Sequence, residues 1–271
     1  MAAPETIDTR ISSTGGRTSG FDYLRSSLSI AVIVFHGVIT SYGEVAEDQV
    51  WNGWWHPFLA VVLPAFFALS GFLVSTSLIR SKTIFEFVTL RVVRMMPALF
   101  GEVLISALLL GPLLTAFTIQ EYFSSRQFYV YWLNIIGEIH FQLPGLFLDN
   151  PDPGRVNLQL WTIPLELKCY FVVTCIYLVG ATRKRARMLW ILAAALILLP
   201  LEDMAIGHDM APADTVPAKV LIESFIAGVT MFFYRDKIPL TFPLFLLSAV
   251  LSFICLSTPA TTYMPACRSP I

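Results

Sequence analysis

The sequence predicts an all-α membrane protein, a polytopic bundle of transmembrane helices, on three observations. Hydrophobic residues make up 56% of the chain, charged residues only 14%, and the apolar residues gather into long stretches. The mean hydropathy of +0.68 is far from that of a water-soluble domain of this length. The apolar layer of a bilayer is about 30 Å thick and a helix rises about 1.5 Å per residue, so roughly 20 apolar residues cross it. Seven stretches are candidates: 26–43, 57–79, 97–118, 158–180, 188–202, 217–234 and 239–258.

Ahead of the first of these, residues 1–20 are polar and rich in Ser, Thr and Gly. They lack the apolar run of 7–15 residues that a cleavable signal needs, so a disordered cytoplasmic tail is expected. Pro97 is well placed to begin the third span, because proline is favoured at the first helical position. Segment 128–148 is apolar but interrupted by Asn134, Glu138, His140, Pro144 and Gly145. It reads as an interfacial or re-entrant piece rather than an eighth span. The domain organisation expected is thus a tail at 1–20, a membrane domain at 21–258 and an irregular tail at 259–271.

Basic residues set the orientation, because connections rich in Lys and Arg stay cytoplasmic. With the N-terminus inside, thirteen of the eighteen Lys and Arg residues fall on inner connections, among them Arg80, Lys82, Arg91, Arg94 and the run Arg183, Lys184, Arg185, Arg187. The outer side holds only Arg126, Arg155 and Arg268, whereas eleven acidic residues lie there, including Glu44, Glu47 and Asp48. An inner or plasma membrane location with a cytoplasmic N-terminus follows as the expectation. The four cysteines (169, 175, 255 and 267) show neither metal spacing nor a disulfide framework. His36, His56, His140 and His208 lie on different segments without ligand spacing, so no metal is implied. No phosphate loop and no basic domain suited to nucleic acid is present.

Inside the first span, FDYLRSSLSIAVIVFHGVIT places Arg25 and His36 eleven residues apart. Eleven steps of about 100° return to nearly the same helical face roughly 16 Å further on, so both side chains should look into one space. An ionisable group inside a span marks a functional site by default, since a charge without a partner is costly in hydrocarbon.

This pair is followed by FFALSGFLVS at 66–75, RVVRMMPAL at 91–99 and LPGLFLDNPDPGRVNLQLWTIPLELKCYF at 143–171. Four such motifs in this order resemble the acyltransferase-3 family of integral membrane acyltransferases, over roughly residues 20–260. The resemblance implies transfer of an acyl group, usually acetyl from acetyl-CoA, to a hydroxyl of a carbohydrate or another envelope or exported acceptor. Acyl-CoA is then a donor substrate rather than a resident cofactor. The family usually has about ten spans, so the resemblance also implies a bundle incomplete at its C-terminal side. From Ser257 the chain reads STPATTYMPACRSPI, which is polar and irregular.

The resemblance assigns catalysis to His36, whose imidazole titrates near neutral pH and suits the removal of a hydroxyl proton. Otherwise His36 is a core histidine bonded to a neighbouring span. Arg25 either binds or orients the donor or flanks the first span on its inner side. Glu166 falls on the acidic position of WTIPLELKCY and serves catalysis or an ion pair with Arg25, Arg91, Arg94 or His36. Arg91 and Arg94, three apart on one face, form with Arg80 and Lys82 a basic rim for the anionic nucleotide of coenzyme A, or else a contact for anionic lipid. Ser70 and Gly71 shape a donor pocket or allow two helices to approach closely. Trp161 and Asn157 offer an acceptor platform by stacking and hydrogen bonding, although a tryptophan there also suits the interfacial belt. Glu102 and Glu223 are further carboxylates within spans.

Two other classes compete with an enzyme. In a transporter or exporter, Arg25, His36 and Glu166 would line a substrate or proton path, but the repeated halves common in transporters are not visible here. In a truncated, inactive remnant the spans would merely insert in the bilayer.

Overall fold

The computed structural model describes residues 4–15, 19–206 and 216–257. It is an all-α bundle. Helix α1 (Ile7–Ser13) precedes the long α2 (Ser19–Tyr42), and two short helices, α3 (Glu44–Trp51) and α4 (His56–Ala60), lead into α5 (Val62–Arg80). Next come α6 (Ile84–Ile105), a π-helical turn at Ser106–Leu110, and α7 (Gly111–Leu114). After the short α8 (Ile119–Ser124) and α9 (Arg126–Tyr131), α10 (Ile163–Leu178), α11 (Arg185–Ile206), α12 (Ala218–Phe233) and α13 (Phe242–Ser257) complete the described chain.

All seven apolar stretches fall on helices. Four helical segments are long and apolar enough to cross a membrane: Gly20–Tyr42, His56–Arg80, Ile84–Leu114 and Leu158–Leu178. Phe242–Ile254 is a shorter apolar helix. The expected start of the third span at Pro97 is corrected. Helix α6 begins thirteen residues earlier, at Ile84, where Thr83 caps it by accepting a hydrogen bond from the Glu86 amide at 3.1 Å, and Pro97 lies inside the helix. A side-chain cap satisfies an orphan amide and outweighs the weak preference of proline for a first turn. The expected disordered tail differs too, because residues 7–13 form α1. Its Asp8 receives the Arg235 guanidinium at 2.7 Å, and its start is joined to the α12–α13 connection by Leu240 N–H to Glu5 C=O at 2.7 Å. The irregular tail expected at 259–271 lies outside the described residues.

Segment 128–148 forms no span. It consists of the end of α9, a 3₁₀ turn (Trp132–Ile136) and a reversal at Gly137, whose φ of 85° suits glycine. Asn134 makes that reversal possible. It is fully buried, and its carboxamide donates to the Tyr131 and His140 carbonyls at 2.7 and 2.9 Å while accepting from the His140 amide at 2.8 Å. Asn134→Ala is expected to destabilise the fold by about 2 kcal/mol, because buried backbone groups lose their partners. Thermal melting in detergent, compared with the wild type, measures this.

The core has two principal parts. One joins α5, α10, α11 and α12 through Phe67, Val74, Leu165, Val173, Met188, Leu221 and Phe225. The other joins α6, α8, α9 and the following loop through Val103, Tyr122, Tyr131, Leu143 and Leu146. At the α5–α12 crossing, a Cβ on Gly71 would fall on the Phe225 carbonyl and one on Gly228 would fall on the Ala68 carbonyl. Each helix thus presents a glycine to the backbone of the other, the close approach that small residues permit between membrane helices.

At one end of the bundle, Arg185 at the start of α11 donates to both carboxylate oxygens of Asp236, at 2.8 Å each. These hydrogen bonds hold the Asp236 carboxyl below its ordinary value of 3.8. A depressed carboxyl stabilises the fold above its unfolded pKa and loses that contribution as pH falls through its folded one. Wild type and Asp236→Asn are therefore expected to differ in melting temperature at neutral pH and to converge as pH is taken below about 4.

Candidate active site

His36 lies on the side of α2 that meets α5. There it borders a cavity of about 40 Å³ walled by Phe35 of α2, Trp51 of α3, Leu59 of α4, Val62 and Leu63 of α5, Val216 before α12, and Trp161 of the 3₁₀ turn Leu158–Thr162. That space admits one or two water-sized groups. Among the described residues His36 is the only titratable one on this wall, and its Nδ1 is buried with no hydrogen-bond partner among them. A buried polar atom that nothing satisfies calls for an explanation, and a ligand or reacting group is one.

The aromatic wall is held from behind. His56 Nδ1 lies 2.8 Å from the Trp51 carbonyl, and its ring stands edge-on to the Trp51 indole at 4.7 Å. Trp51 in turn meets Phe35 at 5.9 Å. The sequence reading assigned His56 and Trp51 no role. The aromatic run WNGWWHP at 51–57 is the feature that could have drawn attention to them.

Arg25 shares the α5-facing side of α2 but not the cavity. Its guanidinium lies over the Phe66 ring of α5 at 5.5 Å, one turn beyond the Phe21–Phe72 contact. The eleven-residue spacing therefore gives a common face, whereas the space next to His36 excludes Arg25. Glu166 makes no direct contact with either residue. Its carboxylate accepts a hydrogen bond from the Tyr170 hydroxyl at 3.2 Å, one turn along α10, and the positive charge of Arg94 acts on it through space. Arg94 is exposed, whereas Arg91 is half-buried against Phe87 at 5.6 Å with its Nε unpartnered. Arg91, Arg94, Tyr170 and Glu166 thus form a second charged group between α6 and α10.

Gly71 sits in the α5–α12 crossing, its open side filled by the α12 backbone, and Ser70 beside it is half-buried. This is the helix-approach role rather than a wall of the His36 cavity. Trp161 is buried and shares that cavity. Asn157 does not reach it: its carboxamide donates to Ser106 Oγ at 2.9 Å and to the Tyr131 hydroxyl at 2.6 Å. These bonds tie the loop before α10 to the π-helical turn of α6, where the Tyr122 hydroxyl also donates to the Ala107 carbonyl at 2.9 Å.

The profile described as "Acyltransferase domain", that of the acyltransferase-3 family, matches residues 18–266. The chain belongs to the acyltransferase-3 family. Among curated relatives, it is 32% identical over 165 residues to an O-acetyl transferase of Shigella phage Sf6, covering 58% of this chain and 45% of the relative. It is 29% identical over 192 residues to Nodulation protein 10 of Rhizobium leguminosarum bv. viciae, covering 68% of this chain and 50% of the relative. The chain therefore spans about half the length of these curated relatives. No solved structure matches it.

Proposed function

We propose that the chain is a membrane O-acyltransferase that moves an acetyl group from acetyl-CoA to a hydroxyl of a carbohydrate or other envelope acceptor, with His36 as the base. The observation that carries this reading is the unpartnered His36 Nδ1 in a small, otherwise apolar cavity. Family membership supports acyl transfer, and the printed name of the phage relative supports acetyl and an oxygen acceptor.

In the proposed step the imidazole takes the proton of the acceptor hydroxyl as that oxygen attacks the thioester carbonyl carbon. The carbon–sulfur bond breaks, and the leaving thiolate takes the proton from the imidazolium, giving an ester and free coenzyme A. The apolar wall keeps out water that would otherwise hydrolyse the thioester. Trp161, on the cavity wall, is offered for packing against the acceptor, while Asn157 fixes the loop that carries Trp161. The Arg91 and Arg94 group is offered for the donor's phosphates, with Glu166 and Tyr170 holding its position, and Arg25 orients the donor arm between the two centres. The Lys and Arg distribution supports a cytoplasmic N-terminus in the cell membrane, with the donor arriving from the inside.

The test is transfer of label from radiolabelled acetyl-CoA into cell-envelope material by membranes containing this chain, against membranes holding equal amounts of His36→Ala. Label that requires His36 supports the reading. Equal label, or none, with both proteins well inserted, overturns it for this chain.

A further inference from the structure

A second cavity lies at the other end of α5 from the His36 cavity, where α1 docks. It measures about 250 Å³ and is walled by Asp8 and Ser12 of α1, Thr76 and Arg80 of α5, and Phe232 and Arg235 at the end of α12. Arg80 at the end of α5 and Arg235 in the turn after α12 thus border one space of mixed character, which Ile11 and Ile79 also line. Arg235 lies over the Phe232 ring at 4.3 Å, donates Nη1 to the Phe232 carbonyl at 3.0 Å, and gives Nε to Asp8 at 2.7 Å. The rest of its five N–H donors stay open. Arg80 is exposed and makes no hydrogen bond or ion pair among the described residues.

We propose that this cavity binds a phosphomonoester, and that Asp8 occupies the guanidinium of Arg235 in place of that ligand. Charge argues for phosphate over a carboxylate. With Asp8 docked, the two arginines and one aspartate leave a single positive charge; with Asp8 withdrawn the site carries two, matching the roughly −1.5 to −2 of a phosphomonoester near neutral pH. Planar guanidinium forks suit phosphate oxygens in pairs, and with α1 withdrawn Thr76 of α5 remains beside them on the wall. The volume accommodates a phosphate with its waters, unlike the His36 cavity.

Helix α1 is then a cover that competes with the ligand. It has seven residues and is held chiefly by Asp8, by the burial of Ile7 and by backbone bonds to the α12–α13 connection. Its hold is light enough for an incoming dianion to displace it. The proposal concerns a cavity separate from that of His36, and an Arg91→Gln variant, in which probe binding should persist, distinguishes it from the donor-phosphate group of the proposed function.

The test uses the full chain in phosphatidylcholine nanodiscs, with adenosine 3′,5′-bisphosphate as a soluble probe followed by equilibrium dialysis. A second set of nanodiscs containing phosphatidic acid supplies the same chemistry as a lipid headgroup. Arg80→Gln is expected to weaken binding at least about tenfold and Asp8→Asn to strengthen it about tenfold. Bound probe should also speed tryptic cleavage after Arg10 as α1 lifts. Arg80 has no partner to lose, so its variant tests binding rather than folding.

Arg80-dependent binding of the soluble probe supports a free phosphate ligand. An Arg80-dependent response seen only with phosphatidic acid supports the site and assigns it to a lipid headgroup. Binding that is absent in both, or indifferent to both substitutions, overturns the proposal.

Discussion

Gly228→Leu is expected to prevent this chain from being recovered as a folded, monodisperse protein. The position of its Cβ is already taken by the carbonyl of Ala68, and a rigid backbone atom cannot swing aside as a side-chain tip can. Ordinary overpacking costs about 1–3 kcal/mol; forcing apart two helices that touch backbone to backbone should exceed that range, because every contact along α5 and α12 loosens together. Gly71→Leu should act alike from the other helix, against Phe225. Gly101→Ala and Gly37→Ala are the controls, since nothing lies within 4 Å of an added methyl at either position. Size-exclusion profiles and melting curves after detergent extraction would decide. A Gly228→Leu protein that elutes and melts like the wild type would mean that the two helices are further apart than described.

His36→Ala is expected to lower acyl transfer by about 10²–10⁴-fold, the range in which a positioned general acid–base contributes. Stability should change little, because no hydrogen-bond partner of Nδ1 is left behind. That combination separates a reacting imidazole from one that merely fills the core. His56→Ala makes the useful contrast. It removes the bond to the Trp51 carbonyl and the edge contact with the indole, so it should soften the cavity wall and lower both melting temperature and rate. If His36→Ala melts far below the wild type while retaining its rate per folded molecule, the imidazole is structural.

The bundle was legible because hydrocarbon imposes a simple demand, a long apolar run with its backbone bonds closed inside a helix. Helix ends were harder. Pro97 carries a clear local preference, but Thr83 with Glu86 supplies a cap whose bond decides where α6 begins. The docking of α1 was hidden because its partners, Arg235 and Leu240, lie more than two hundred residues away, and composition records only polarity. The periodicity of α2 put Arg25 and His36 on one face, yet the size of the space beside His36 is set by Trp51, Leu63 and Trp161 from other segments. Asn157 shows the same limit. Its residue type fits a sugar contact as well as a loop brace, and its bonds to Ser106 and Tyr131 depend on positions that no local pattern records.

The bond from Arg235 to Asp8 joins residues 227 apart in the chain. Synthesis delivers Asp8 long before Arg235, so α1 cannot take this place until α12 has been made. Closing so long a loop is slow compared with forming adjacent helical hairpins. A segment made before α2 thus finds its place only after α12, and a polypeptide interrupted before α12 would display α1 undocked and open to proteases.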